Sequence, residues 1–199
     1  MRARSQEQES ATLGRRVLIS GDGDLWVFGY GSLMWRPGFD YLERRSALLH
    51  GYHRALCVLS YDHRGTREQP GLVLGLDRGG ACRGVAFRVA AEQAASTHAY
   101  LTAREQTSMV YEERMHSVRL DDGRRVAALA YTANHMHEQY AGALTREQQL
   151  AHVLQGVGRS GANPDYVLNT HAHLVEIGVH DALLDWLAAQ LKAMRALSR

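Results

Sequence analysis

Cysteine and proline are scarce in this sequence of 199 residues, which has only two cysteines and three prolines. Cys57 and Cys82 are too few for a disulfide framework and lack the spacing of a zinc site, so we expect reduced thiols in a cytoplasmic protein. The low proline content and the 45% of hydrophobic residues are unlike disordered and collagen-like chains and predict a sizeable buried core. The length is typical of one domain.

An excess of charge of one sign is also absent. The 23 basic and 21 acidic residues give a formal net charge of +2, too small to indicate nucleic acid or an anionic membrane as the main partner. No apolar run is long enough to span a membrane, and the polar residues 1–10 are not followed by the apolar stretch of a signal peptide. We therefore predict a flexible N-terminal tail over residues 1–24 and a single domain over residues 25–199, with neither nucleic acid nor membrane as partner.

Patterns typical of β-strands dominate the first two thirds of the chain. An aromatic and β-branched run predicts a buried strand at residues 25–28, and two longer β-type stretches follow at 47–60 and 71–89. The composition of residues 77–80 suits a hairpin turn that would interrupt the last of these stretches. A second hairpin is predicted around the Asp-Asp-Gly sequence at residues 121–123.

Helical patterns dominate the last third, after an alanine-rich segment, 90–104, that also favours a helix. Thr145 begins a capping box that predicts a helix from about Arg146 to Val157. Asn163 followed by a proline indicates the cap of a second helix, and Asp181 begins a third. Strands first and helices last predict an α+β fold around an antiparallel sheet or barrel.

A glycine-rich turn, Gly29-Tyr30-Gly31-Ser32-Leu33-Met34, directly follows the first predicted strand. Met34 stands where a dinucleotide fingerprint has its third glycine, and no Gly-Lys-Ser/Thr follows, so neither a Rossmann fingerprint nor a phosphate loop is present. Backbone N–H groups in such a turn can converge on an anionic or carbonyl oxygen, because glycine has no Cβ to obstruct them. From the residues alone, an ordinary turn is the simpler interpretation.

Glu105 is the first candidate for acid–base chemistry. It follows apolar residues where the alanine-rich helix is expected to end, and both partial burial and a helix C-terminus disfavour an ionised carboxylate. Such a group suits a general base near neutral pH, although structural ion pairs also perturb carboxylates. The histidine pairs at positions 135 and 137 and at 171 and 173 lack a third ligand at a recognisable spacing, so we predict no metal.

Several motifs together carry a family resemblance. They are Phe28-Gly29-Tyr30-Gly31-Ser32-Leu33-Met34-Trp35, Asp62-His63-Arg64-Gly65-Thr66, Pro70-Gly71, Arg104-Glu105 and Tyr111. In order and spacing they resemble the ChaC family of γ-glutamylcyclotransferases. The similarity runs from about residue 25 through the glycine-containing loop at 158–161 into residues 165–169, which is most of the chain.

The resemblance implies a small, mostly antiparallel β-barrel with flanking helices, and conversion of glutathione into 5-oxoproline and Cys-Gly without a cofactor. In that reaction the α-amine of the γ-glutamyl unit attacks its own γ-carbonyl. The family's catalytic glutamate corresponds to Glu105. The resemblance further implies these substrate-binding residues: Tyr30, Gly31, Ser32 and Leu33 in the glycine turn, Tyr111 and Tyr140 as hydrogen-bond donors, and Arg64 as a partner for the terminal carboxylate of glutathione.

One departure keeps the substrate open. Met109-Val110 stands where the family commonly has small residues or glycine, so either a bulkier pocket wall or a less free backbone is expected, and another γ-glutamyl amine or dipeptide is an alternative substrate. A second alternative is a non-catalytic regulator that binds γ-glutamyl compounds and is linked to cation transport. In each case the expected partner is a small molecule, and we expect a monomer.

Overall fold

A computed structural model describes residues 23–105 and 108–197, so the predicted tail lies almost entirely outside the described residues. Five strands form a closed barrel in the order β1-β3-β2-β4-β5: β1 Leu25–Gly29, β2 Glu43–Ser60, β3 Gly71–Val89, β4 Tyr111–Leu120 and β5 Arg125–Ala133. All neighbours are antiparallel except β1 and β5, which close the barrel in parallel. The predicted α+β fold with a mostly antiparallel barrel is confirmed.

Helices and one small hairpin surround the barrel. The helices are α1 Ala91–Glu105, α2 Arg146–Gln155, α3 Asn163–Glu176 and α4 Ala182–Leu197, and a short 3-10 helix covers Ser32–Met34. The hairpin consists of β6 Val157–Gly158 and β7 Gly161–Ala162. Within the described residues, none of the helices combines the length and the apolar character needed to cross a lipid bilayer.

The apolar run of β1 is buried on both of its faces. Trp26 and Phe28 belong to the main core, whereas Leu25 and Val27 pack in a second cluster with Leu101 of α1. A strand covered on both sides reads as a continuous hydrophobic stretch rather than an alternating one, which is why the sequence identified it. The end of β1 is therefore held firmly next to the end of α1.

Residues 77–80 do not form a hairpin turn, so that prediction was wrong. β3 runs straight through them and stays paired with β2 on both sides, through His53 with Asp77 and Leu49 with Cys82. Gly51, Gly79 and Gly80 do adopt positive φ, at +86°, +99° and +66°, but they form a bulge between two long strands. A bulge needs the same left-handed residues as a tight turn and bends the strands without ending them. The hairpin at residues 121–123 is confirmed, since it joins β4 to β5.

The three helices of the last third begin where the sequence predicts, and two of their three predicted caps are present. Thr145 and Gln148 form the reciprocal capping box of α2, and the Asp181 carboxylate accepts the first backbone N–H groups of α4. Asn163 does not cap α3, because its fully buried amide instead accepts from Leu72 N at 2.7 Å and donates to Leu72 O at 2.8 Å. This side chain joins α3 to β3, a long-range contact that the local pattern did not contain.

Candidate active site

A small cavity of about 90 Å³ opens where the end of β1 meets β3, β4, β5, the end of α1 and α3. Its lining consists of Tyr30, Gly31, Ser32, Leu33, Leu74, Glu105, Tyr111, Tyr131 and Tyr166. Six of the eight residues predicted for the site are among them. A larger, open groove of about 790 Å³ lies between α3 and α4 but contains none of the predicted residues, so its size does not make it the better candidate.

The glycine turn forms one wall of this cavity. A Cβ at Gly29 would come within 2.9 Å of Leu33 Cβ, so only glycine allows the chain to fold back directly after β1. The carbonyl oxygen of Tyr30 is fixed by a 2.6 Å hydrogen bond from Nε of the buried Arg54. The 3-10 helix that follows has no side-chain cap among the described residues, which leaves its first backbone N–H groups available to a ligand.

Glu105 forms the opposite wall as the last residue of α1. Its side chain is 20% exposed, and Nε of Arg104 lies 3.1 Å from its Oε1 atom. Burial raises the pKa of the carboxyl above its ordinary value, and the positive charge of Arg104 offsets part of that rise. The carboxyl is therefore poised closer to neutral pH than an exposed glutamate, as expected from the sequence.

Four tyrosines complete the lining and remain uncharged. Burial raises the pKa of Tyr30, Tyr111, Tyr131 and Tyr166, so all four are neutral phenols near pH 7. Two of them bind both backbone groups of Leu74: Tyr111 donates to its carbonyl oxygen at 2.7 Å, and Tyr166 accepts from its N–H at 3.1 Å. The strand that passes the cavity is thus fixed from β4 and from α3 together.

Tyr131 and Tyr166 were missed as site residues at the sequence level. Tyr131 lies on β5, where its buried hydroxyl makes no hydrogen bond of normal geometry with any described residue, although the Thr102 hydroxyl is near enough to lower its pKa. Tyr166 lies in the first turn of α3, inside the segment that carried the family resemblance. The resemblance was the only available signal for Tyr166, and no signal distinguished Tyr131 from an ordinary strand residue.

Arg64 and Tyr140 do not line the cavity. Nη1 of Arg64 donates to Ser160 O at 2.5 Å, and the guanidinium lies 5.4 Å from the ring centre of Tyr166. The Tyr140 hydroxyl donates to Asp77 Oδ2 at 3.0 Å, and burial together with that hydrogen bond raises the pKa of Tyr140 to about 12. Both side chains already have protein partners, and their roles in substrate binding stay predictions.

Three of the four histidines singled out in the sequence pair with individual carboxylates, and the fourth, His137, accepts from Gln139 N at 3.2 Å. His135 lies 2.6 Å from Asp77, and His171 lies 3.0 Å from Asp185. Over residues 23–105 and 108–197, no three His, Cys, Asp or Glu side chains come together in a way that could hold a metal ion.

Of the two expectations for Met109-Val110, the structure agrees with the restricted backbone and not with the bulkier pocket wall. Met109 has a φ of +58° and its side chain is 60% exposed. Val110 is buried in a separate cluster with Cys57 and Val58. Neither residue lines the cavity. A methionine at a positive φ strains the backbone, whereas a glycine would not, so the departure affects the backbone conformation and not the space in the pocket.

Comparison with solved structures defines the class. A crystal structure of the γ-glutamyl cyclotransferase specific to glutathione from yeast matches with a TM-score of 0.76 and 22% identity, over 86% of this chain and 97% of that chain. The closed barrel and this match together define an α+β protein of the γ-glutamylcyclotransferase-like fold.

Sequence comparison then gives the family. The model of the ChaC-like protein family matches residues 25–194, and the chain belongs to that family. A glutathione-specific γ-glutamylcyclotransferase of Escherichia coli is 34% identical over 194 residues, which cover 96% of this chain and 84% of that protein. The mouse glutathione-specific γ-glutamylcyclotransferase 1 is 37% identical over 155 residues, or 74% of this chain and 70% of that protein.

Proposed function

We propose that this protein is a γ-glutamylcyclotransferase that converts glutathione into 5-oxoproline and Cys-Gly. The observation that carries the proposal is the partly buried Glu105 carboxyl, whose pKa is raised, facing a glycine turn across a cavity lined by neutral tyrosines. The names of the E. coli and mouse relatives, both called glutathione-specific, support glutathione as the substrate.

Glu105 acts twice in the proposed reaction. Its carboxylate first takes a proton from the α-ammonium group of the γ-glutamyl unit, and the resulting amine attacks the γ-carbonyl carbon of the same unit. A carbon–nitrogen bond forms and closes a five-membered ring. Glu105 then delivers the proton to the nitrogen of the leaving cysteine residue as its bond to the γ-carbon breaks. The attacking nitrogen loses a second proton as it becomes the lactam N–H, and that proton converts the released amine of Cys-Gly into its ammonium form. Water is not consumed, and one carboxyl serves as general base and general acid.

The raised pKa suits both steps. A carboxylate of ordinary pKa is a weak base toward an ammonium ion, whereas a group nearer the working pH can accept the proton and return it. The cavity contributes by holding the amine against the carbonyl, and such intramolecular positioning lowers a barrier by roughly 7 to 11 kcal/mol. Binding the folded γ-glutamyl group is therefore as important as the base itself.

The glycine turn and the tyrosines are assigned to binding. We assign the N–H groups of Gly31 and Ser32 to the α-carboxylate or to the oxyanion of the tetrahedral intermediate, since fixed backbone donors stabilise developing negative charge. The Tyr111 hydroxyl, which donates to Leu74 O, belongs to the cavity lining and is assigned to the γ-glutamyl group. Leu33 supplies apolar wall beside them.

The size of the cavity keeps the alternative substrates in consideration. Ligand pockets usually measure roughly 300 to 1,000 Å³, whereas this cavity measures about 90 Å³ and so accommodates only one end of a tripeptide. The γ-glutamyl end is common to glutathione and to other γ-glutamyl amines and dipeptides. Comparing kcat/KM for glutathione and for γ-glutamyl-alanine separates the two hypotheses, because equal values mean that the cysteinyl-glycine part is not recognised.

The remaining expectations are proposals of the same kind. We propose a single domain over residues 25–199 that acts as a cytoplasmic monomer without a nucleic-acid partner or a cofactor. A regulator that only binds γ-glutamyl compounds is the competing function. It requires that Glu105→Gln leave the biological effect unchanged while 5-oxoproline formation is lost.

The first experiment is incubation of the purified protein with reduced glutathione and detection of 5-oxoproline and Cys-Gly by mass spectrometry. Glu105→Gln removes the base with little change of shape, and Glu92→Gln on the exposed face of the same helix is the matched control. We expect both products from the wild type and from Glu92→Gln, and none from Glu105→Gln. Equal product from all three contradicts the role of Glu105, and no product from any contradicts the glutathione reaction.

A further inference from the structure

Arg104 connects the two walls of the cavity. Its Nε atom lies 3.1 Å from Glu105 Oε1, and its Nη2 atom donates to Ser32 Oγ at 2.9 Å. Nη1 donates to the carbonyl oxygen of Arg36 at 2.7 Å and to the Tyr100 hydroxyl at 3.0 Å. Each of the three guanidinium nitrogens thus has a partner on a different part of the chain around the site.

This arrangement constrains the Glu105 carboxylate. The ion pair places Nε beside Oε1 and so favours one orientation of the carboxyl group, and we assign the other oxygen, Oε2, to the substrate. The planar guanidinium fixes its three partners in one geometry, which the single ammonium of a lysine cannot reproduce. The same side chain ties the base to the serine of the glycine turn, so the distance between base and turn is set by one residue.

Arg104 is also the charged neighbour that acts on Glu105. The other titratable groups that face the carboxyl are Tyr30, Tyr111, Tyr131 and Tyr166, which burial keeps neutral. The cation lowers the pKa of Glu105 against the effect of burial. Without it, less of the carboxylate would be present near neutral pH.

We propose that Arg104 is a positioning residue, which orients Glu105 so that Oε2 takes the substrate proton and which holds the glycine turn at a fixed distance from that oxygen. The inference rests on the proposed function and deepens it. Arg104 itself transfers no proton and contacts no reacting atom.

The test is the pH profile of kcat for Arg104→Gln and Arg104→Lys. Misplacement of a reacting group by about 1 Å can cost about a hundredfold in rate, so we expect kcat to fall by about tenfold to a hundredfold in both variants. In Arg104→Gln the acid limb moves to higher pH, because the cation that favours the carboxylate is gone. In Arg104→Lys the acid limb of the pH profile stays near that of the wild type, because lysine keeps the positive charge and loses only the planar, three-nitrogen geometry of the guanidinium. Arg195→Gln, which removes an exposed ion pair with Asp165, is the matched control and keeps the wild-type profile.

Ser32→Ala tests the second contact and serves if an Arg104 variant does not fold. Alanine keeps the backbone N–H of this position and removes only the hydroxyl that Arg104 binds. We expect kcat to fall with the acid limb unmoved, and the losses of Ser32→Ala and Arg104→Lys not to multiply in the double variant, because both remove one interaction. Unchanged kcat in Ser32→Ala and Arg104→Lys, or losses that multiply fully, overturn the proposal.

A measurement without substrate separates this proposal from the proposed function. The carboxyl carbon of Glu105 is titrated by NMR in ¹³C-labelled wild type and Arg104→Gln. A higher titration midpoint in the variant supports the charge effect of Arg104 even if glutathione is not the substrate, and an unchanged midpoint overturns it even if glutathione is turned over. Absence of product from the wild type contradicts the proposed function alone.

Discussion

Replacing Glu105 by glutamine is expected to stabilise the fold while it abolishes turnover. A carboxyl whose pKa is higher in the folded than in the unfolded chain binds protons more tightly when folded, so the free energy of unfolding falls as pH rises between the two values. Each unit of separation costs the wild type about 1.4 kcal/mol once the pH lies above both. Glutamine does not ionise and still offers a carbonyl oxygen to Arg104.

The magnitude follows from the environment of the side chain. With only 20% of it exposed, solvent screens the effect weakly, and the nearby Arg104 reduces it. We expect the free energy of unfolding of Glu105→Gln to exceed that of the wild type at pH 8, by about 1.4 kcal/mol for each unit by which folding raises the pKa, and to be nearly equal to it at pH 4. Urea unfolding at both pH values, with Glu92→Gln as the exposed control, gives the numbers. A Glu105→Gln protein that is less stable than the wild type at pH 8, or a difference that does not grow with pH, refutes the reasoning.

Three further changes test the support of the site. Tyr166→Phe removes the acceptor of Leu74 N–H; we expect a loss of about 1 to 2 kcal/mol in urea unfolding and a lower kcat/KM, and unchanged values for both contradict the role of this bond. Asn163→Ala leaves the N–H and the carbonyl of Leu72 unpaired in the core, so a loss of about 2 to 4 kcal/mol is expected by the same measurement, and a loss below about 1 kcal/mol means that water replaces the amide. Met109→Gly relieves a positive φ and is expected to raise stability by up to about 1 kcal/mol with KM unchanged; a destabilised protein or an altered KM shows that the side chain has another role.

Much of the barrel could be predicted from local patterns. The run at 25–28 and the Asp-Asp-Gly hairpin at 121–123 depend on residues close together in the chain, and both were found. Residues 77–80 were misjudged because a bulge and a tight turn draw on the same glycines, and only the pairing partner, β2, decides between them. Asn163 was misjudged for a similar reason, since its partner Leu72 is about ninety residues away.

In the candidate site, too, features that depend on neighbouring residues could be located from the sequence, and features that depend on distant partners could not. Local patterns located the glycine turn after a strand and Glu105 at a helix end, but only the family resemblance made them candidates for the site. Tyr131 could not be identified, because the local sequence around a tyrosine on a strand does not show which residues its side chain faces in the closed barrel. The contacts of Arg104 could not be predicted either, since two of its partners, Ser32 and Arg36, lie in the 3-10 helix and in the loop after it, far from Arg104 in the sequence.

The two tyrosine hydroxyls that bind the backbone of Leu74 come from distant parts of the chain, which has a consequence for biosynthesis. The last barrel strand ends at Ala133, yet one of the two hydroxyls that fix the cavity wall comes from residue 166. Until α3 has been synthesised and has packed against the barrel, only the Tyr111 hydroxyl is available to bind Leu74. The newly made protein thus acquires a complete cavity only after α3 has left the exit tunnel and docked.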